Sequence, residues 1–319
     1  MTRQWIRQCR LMIGNGSEAV DVSDLRIRFN VQRATTPTPE QADIIITNLS
    51  NATANRIVSD EYKNVVLQAG YDGNFDTIFE GEIVQRRGPG RESPTDTYVN
   101  LLVKGGQLAV SYGVVNKTLA AGHTIRDQVD ACLEALKPYG IVAGHISDLG
   151  STKMPRGRAM FGMVRNQLRS ICNAVGATWW IEGKKLNILS NKENMPGDAI
   201  VINSGTGMIG MPVQTIDGVE VRCLLNPRIN LGSVLKIDEA SIQRAKYSLD
   251  NVDSYLIDQK PLYDSNIASD GLYQVKFMSH SGDTRGTDWY TDSICIALHG
   301  GIPSKRVSQT SLAPTLGGQ

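Results

Sequence analysis

The sequence predicts a mainly β chain interrupted by an α+β insert, and three observations carry that prediction. The first third alternates apolar and polar residues with a period of two. The middle changes to helical spacing between recognisable caps, and the last third returns to short, strand-length apolar runs. A chain of 319 residues has room for about two domains.

In the first third, Leu25, Ile27, Phe29 and Val31 alternate with Arg26, Arg28, Asn30 and Gln32, so one strand face is core and the other polar. Residues 42–49 read as a more deeply buried strand, and Ser50 as the N-cap of a short helix reaching Ile57 and Val58. Strands at 65–71 and 77–84 form a hairpin about Asp72, Gly73 and Asn74. Residues 86–96, rich in Gly, Pro and Arg, read as a polar loop before a strand at 97–103 that stops at Gly105 and Gly106. A small antiparallel barrel or sandwich is the expected closure.

In the middle, Thr124 caps a helix with Asp127 three residues on, and Ile125, Val129, Cys132, Leu133 and Leu136 make its apolar stripe. A second helix places Phe161, Val164, Leu168, Ile171, Cys172 and Val175 on one face and ends at Gly176. A hairpin follows, with strands at 178–181 and 186–189 about Glu182, Gly183 and Lys184. The last third offers strands at 199–203, 219–225, 233–237, 272–280 and 289–298, a long loop at 240–268, and a polar tail from 301 to 319.

Hydrophobic residues at 41% supply real cores, which excludes a disordered chain. The 33 basic and 32 acidic side chains nearly cancel, which excludes a dedicated nucleic-acid binder with its positive excess. The first ten residues hold no signal-peptide core, and no run approaches the ~20 apolar residues of a membrane helix. The expected compartment is therefore cytoplasm-like, unless the chain leaves as part of a particle, and no stable membrane insertion is expected. The cysteines Cys9, Cys132, Cys172, Cys223 and Cys295 lie far apart without a C-x-x-C pair, and read as small buried hydrophobes rather than disulfides or zinc ligands.

Each chemical motif fails a physical test. Gly205-Thr206-Gly207-Met208-Ile209-Gly210 is a literal G-x-G-x-x-G, but a pyrophosphate needs a helix N-terminus there, and Met211-Pro212-Val213 follows instead. The sequence therefore predicts a flexible loop crossing between domains. His123, His145, His280 and His299 have no metal-ligand spacing. Ser279, His280 and Asp283 lie too close in sequence to converge as a triad, and read as a turn. Glu80 and Glu82 share a strand face, the default for residues two apart, and read as solvated rather than as a glycosidase pair. No catalytic, cofactor-binding or metal-ligating residue is assigned, no cofactor is expected, and the chain reads as no enzyme.

Three sets of residues together carry a resemblance. The first is Ser23 through Val31, then Asn48-Leu49-Ser50 and Phe79-Glu80-Gly81-Glu82-Ile83. The second is Ile209-Gly210-Met211-Pro212 followed by Asp217 through Pro227, and the third is Tyr273-Gln274-Val275, His280 through Gly286, and Asp288-Trp289-Tyr290. In order and spacing these resemble the baseplate hub proteins of contractile-tail bacteriophages, over residues 20 to 300. The resemblance implies two small tail-tube-like antiparallel β-barrels plus a smaller α+β domain. The first barrel would occupy 1–108, the insert 109–190, the second barrel region 191–300 and the tail 301–319. It further implies a homotrimer that joins the hexameric tail tube to the trimeric central spike, leaving a channel for DNA in transit. Its partners would be the tail tube protein or tube initiator, the spike and other baseplate proteins. Its place would be the virion tail baseplate, assembled in the host bacterial cytoplasm. The alternatives are a hexameric distal-tail or tube-initiator ring, a cell-wall hydrolase component of the tail tip, and the equivalent part of a contractile toxin-delivery machine. The 86–96 loop is expected to reach an adjacent ring or to be an ordinary mobile hairpin loop.

Overall fold

The computed structural model describes residues 6–16, 18–215, 217–237 and 270–298. The expected loop at 240–268 and the expected tail at 301–319 fall outside the described residues.

The first part comprises β1 (Arg7–Gly14), β2 (Ala19–Asp21), β3 (Arg26–Ala34), β4 (Gln41–Thr47), α1 (Asn51–Val58), β5 (Asn64–Tyr71), β6 (Asn74–Arg91) and β7 (Thr97–Lys104). The second comprises α2 (Gln107–Tyr112), β8 (Val114–Leu119), α3 (Ile125–Leu136), β9 (Val142–Ile146), β10 (Arg158–Met163), α4 (Val164–Val175), β11 (Ala177–Glu182) and β12 (Lys185–Ser190). The third comprises β13 (Ile200–Ile202), β14 (Val213–Thr215), β15 (Gly218–Leu224), β16 (Val234–Ile237), β17 (Leu272–Asp283) and β18 (Trp289–Ala297). The chain is thus mainly β with an α+β insert.

Local chemistry sets several of these boundaries. Ser50 accepts from the Thr53 N–H at the start of α1, and Thr124 and Asp127 close a reciprocal capping box on α3. Asp72 and Gly73 make the two-residue turn between β5 and β6, with Gly73 at positive φ. Gly176 ends α4 in the left-handed region. Phe161, expected on the second helix, lies on β10 and is 74% exposed. The helix begins only at Val164 because Gly162, at positive φ, breaks the chain direction between them.

The strands of the first and third parts do not close into two separate barrels. Among the described residues they form one open sheet of 13 strands, along the path β14-β15-β18-β17-β3-β4-β7-β6-β5-β1-β2, with β16 also on β17 and β13 on β16. The join is the antiparallel ladder of β3 and β17, which runs from Ala34 opposite Phe277 to Arg28 opposite Asp283. Each strand would otherwise present an unpaired edge, so the ladder satisfies both.

The segment expected as a loop at 86–96 is mostly strand. Arg86, Arg87, Gly90 and Arg91 of β6 pair with β7, and only 92–96 turn. Main-chain pairing with β7, with the Arg86–Asp60 pair at 2.6 Å at its base, carries this arm, which needs no apolar face and so left no hydrophobic alternation to read. Its tip folds back on the sheet through Arg28 Nη2 to Glu92 Oε2 at 2.6 Å and Asn48 Nδ2 to Asp96 Oδ1 at 2.9 Å.

Four buried clusters lie among the described residues, the smallest being Ala34, Phe277 and Ile294, paired across β3, β17 and β18 on the face that also carries Gln32, Ser279 and Asp292. The first gathers Ile27, Phe29, Ile44, Leu67 and Leu101 from the first part, together with Leu225 and Trp289 from the third. The second packs Val129, Cys132, Leu168 and Ile171 of α3 and α4 against Trp179 and Ile188. The third joins Val219, Leu235, Val275 and Cys295 to Trp180 and Leu189. The β11–β12 hairpin is therefore buried on both faces: the period of two sends Trp179 into one core and its neighbour Trp180 into another.

Trp289 locks the first and third parts together. It is fully buried, stands edge-on to Phe29 with ring centroids 5.4 Å apart, and donates its Nε1–H to the Gly70 carbonyl at 3.3 Å. A Cβ at Gly282 would collide with both rings, which requires glycine there. Trp289→Ala should lower the unfolding free energy by about 3–5 kcal/mol in urea titration, the range for a buried aromatic lost to a cavity. A loss below about 1 kcal/mol would mean that the two parts are not held by this ring.

Candidate functional site

The chemical motifs find structural employment. At 205–210, the Asn203 side chain accepts from the Gly205 and Thr206 amides at 2.9 and 3.0 Å, capping a single 3-10 turn. These are amides that a phosphate would have needed. Rather than crossing freely between domains, the segment runs along β15, with the Ile209 N–H on the Arg222 carbonyl and the Leu224 N–H on that of Gly207.

His280 is 1% exposed, with Nδ1 and Thr291 Oγ1 hydrogen-bonded at 2.8 Å. Ser279 instead donates to Asn30 Oδ1, and Asp283 is paired with Arg26 Nη2 at 2.7 Å. The expected turn is therefore strand through Asp283, and alternation sends Ser279 and His280 to opposite faces. Burial, with the Arg33 charge nearby, pushes the His280 imidazole down to about 3 and keeps it neutral. His123 binds the Ala120 carbonyl and Gln128, His145 stands apart, and His299 lies outside the described residues. Among the described residues no group of three or more His, Cys, Asp or Glu side chains could hold a metal ion.

The thiols are free, four of them buried and Cys9 half-buried, and burial pushes Cys9, Cys132, Cys172 and Cys223 up to about 12. Glu80 and Glu82 do not flank a cleft: Glu80 Oε1 meets Lys184 Nζ at 2.6 Å, and Glu82 stands across the ladder from Lys104. No helix among the described residues is long and apolar enough to cross a membrane.

What the fold does assemble is a buried ion cluster where its parts meet. Arg33 follows Ile27, Phe29 and Val31 in the inward positions of β3 and is 5% exposed. Its Nε lies 3.1 Å from Glu40 Oε2, its Nη1 reaches Glu182 Oε1 at 2.7 Å, and its Nη2 donates to the Ile78 carbonyl. The hairpin tip completes the arrangement: the Gly183 N–H donates to Glu40 Oε1 at 3.2 Å, and Trp180 Nε1–H to Glu182 Oε2 at 3.2 Å. Glu40 is 4% exposed, and burial pushes its carboxyl up to about 7, reinforced by Glu182 and Glu80 against the pull of Arg33. The cluster works as a clamp, because each of its charges is desolvated and needs the others. The readable signal for it was a charged residue at the fourth inward position of a core strand.

On the opposite face, the register builds a polar surface that crosses the join without a step. One row runs Arg222, Asp292, Ser279, Gln32, Gln41, Lys104 and Glu82, each opposite the next on β15, β18, β17, β3, β4, β7 and β6. Arg222 and Asp292 form a bidentate pair at 2.6 and 3.2 Å, and Gln41 Nε2 donates to Gln32 Oε1 at 2.9 Å. Charges of both signs alternate with amides and hydroxyls, so the surface is wettable and carries no single-sign field. This arrangement suits contact with water and with other chains.

Comparison with known proteins gives this surface a context. A family model described as baseplate hub gp41 matches residues 8–243. Among solved structures, the 43 kDa tail protein of prophage MuSo2 from Shewanella oneidensis aligns with a TM-score of 0.57 at 8% identity, over 91% of this chain and 98% of its own. A tail protein from Neisseria meningitidis MC58 aligns at 0.54 and 12% identity, over 92% of this chain and 97% of its own. The E. coli c3393 protein, described as a component of the type VI secretion system with structural similarity to T4 bacteriophage tail proteins, aligns at 0.52 and 10% identity, over 88% and 76%. At such identities these structures share the fold alone. No curated protein matches.

The clamp has a pH signature. Glu40 titrates near 7 folded against an ordinary 4.5, so between those values the folded chain holds the extra proton and stability falls as pH rises. His280 titrates near 3 folded against 6.5, so there the unfolded chain holds the extra proton and stability falls as pH drops. The two slopes oppose each other between pH 4.5 and 6.5. Glu40→Gln removes the first, so the wild-type-minus-variant difference in unfolding free energy should grow by about 1.4 kcal/mol per pH unit as pH falls from 7 to 4.5. Urea titrations at pH 7, 6 and 5 measure it; a constant difference would mean that Glu40 is ionised in the folded chain.

Proposed function

The chain belongs to the baseplate hub gp41 family, and on that premise we propose that it is a structural, non-catalytic hub of a contractile phage-tail baseplate. Three chains form a ring that joins the hexameric tail tube to the trimeric central spike and leaves a channel for DNA. The observation that carries this reading is the polar row from Arg222 to Glu82, continuous over seven strands of the first and third parts. A channel wall built from two β-rich units per chain needs such a surface, since a seam of exposed apolar residues at the join would drive wrong association. Its mixed charge suits passage of DNA, because clustered Lys and Arg would hold phosphates in a salt-dependent grip.

In this reading residues 1–108 and 191–300 are the two tail-tube-like units, 109–190 the insert and 301–319 the tail. The insert is held to the first unit through the Arg33–Glu182 and Lys184–Glu80 pairs, beside the Glu82 end of the polar row. Its partners are further copies of itself, the tube or its initiator, the spike and neighbouring baseplate proteins. The chain resides in the virion tail after assembly in the host cytoplasm. Because the 92–96 tip is tied to Arg28 and Asn48, contact with an adjacent ring through the arm involves its exposed strands more than a free loop.

Light scattering on the purified 34.8 kDa chain over a concentration series should give the mass of a trimer. A hexamer would overturn the hub reading in favour of a distal-tail or tube-initiator ring.

A further inference from the structure

A groove of about 480 Å³ lies at the N-terminal end of the large sheet, bounded by β1, the turn after β2, and the loop before β18. The reason for it is a mismatch of strand lengths. β5 covers one edge of β1 along its full length, from Arg7 to Gly14. β2 covers the other edge only at Met12, Ile13 and Gly14. The Leu11 carbonyl accepts from Val22, and the Leu11 amide donates to Ser23 Oγ, after which the chain turns away. Main-chain groups alternate sides along a strand, so Arg7 and Cys9 aim their N–H and C=O groups the same way as Leu11, into the groove.

The walls add side-chain character. Leu25, Phe75 and Trp289 line the apolar side, with Phe75 36% exposed. Three arginines and two aspartates complete the lining: Asp21 is paired with Arg10, Arg285 bonds the Asp24 carbonyl, and Arg7 bonds the Gly286 and Thr287 carbonyls and Tyr71 and lies over the Trp289 ring, which leaves one positive charge in excess.

We infer that this groove is a docking site for an extended, acidic segment of another protein chain, which adds to the edge of β1 that no described strand covers, as a strand in line with β2. The chemistry selects the occupant. Donors and acceptors at the two-residue spacing of Arg7 and Cys9 match a peptide main chain and no simple ion. The open stretch from Arg7 to Arg10 is about 10 Å long at 3.3 Å per residue, room for roughly three residues. Alternation then places every second side chain against Leu25 and Phe75 and the others beside the arginines, which favours apolar residues alternating with Glu or Asp. The inference is independent of the baseplate reading.

The test uses the full chain and three fluorescein-labelled octapeptides: one alternating Val and Glu, one alternating Val and Lys, and the Val-Glu peptide N-methylated at alternate amides. Fluorescence anisotropy should show the Val-Glu peptide binding at least tenfold more tightly than either of the others. Arg10→Glu, at an exposed side chain, should weaken it at least fivefold, and hydrogen exchange should show the Arg7 and Cys9 amides protected only with peptide present. Equal affinity of the methylated and unmethylated peptides would overturn the strand-addition geometry. Slow exchange of those two amides in the free chain would also overturn the inference, since the chain itself would then fill the groove.

Discussion

The ladder between β3 and β17 is the constraint on which the rest of the structure depends. It pairs residues 28–34 with 277–283 and so converts two β-rich parts into one sheet. Everything that distinguishes the two sides of the molecule follows from its register. Ile27, Phe29 and Val31 face inward with Arg33, while Arg28, Asn30 and Gln32 continue a polar surface onto Ser279 and Ser281. A slip of one residue would exchange those faces along the whole of β3. Trp289 and Leu225, from the third part, then complete the core of the first.

The insert is attached by a different kind of force. Its hairpin contributes apolar side chains to two cores, and its tip places Glu182 and Lys184 against Arg33 and Glu80. Apolar burial supplies the bulk of the attraction but little direction, whereas the buried charges accept one geometry. Burial, reinforced by the neighbouring Glu182 carboxylate and opposed by Arg33, makes Glu40 hold a proton more tightly than usual. Position and protonation state are thereby linked at the place where insert and sheet meet.

What was legible in the sequence was local. The Thr124–Asp127 capping box, the Ser50 cap, the Asp72-Gly73 turn and the alternation of β3 each depend on residues within a few positions of one another, and each appears in the fold. What was not legible depended on distant pairing. β1 carries only Leu11 and Ile13 as buried hydrophobic side chains, too few to announce a strand beside its arginines. The outer half of β6 is exposed on both faces, and Phe161 looked helical because its spacing from Val164 and Leu168 fits a helix that starts only after Gly162. One open sheet rather than two barrels could not be read from either third alone, since neither shows which edge the other will meet. Arg33 was visible as a charge in an inward position, but its partners Glu40 and Glu182 came together only through the fold.

The β3–β17 ladder also has a consequence for biosynthesis. Some 243 positions separate Ala34 from Phe277, its partner across the ladder. At bacterial-type rates of about 5–20 residues per second, the ribosome needs roughly 12–50 seconds to travel between them. During that time β3 has β4 on one side and nothing of its own on the other, and the first core lacks Trp289. A nascent hub chain therefore carries an open strand edge for most of its synthesis. Where several ribosomes translate one message, neighbouring nascent chains would be each other's nearest source of a matching strand, so translation speed and polysome spacing bear directly on the yield of correctly joined sheets.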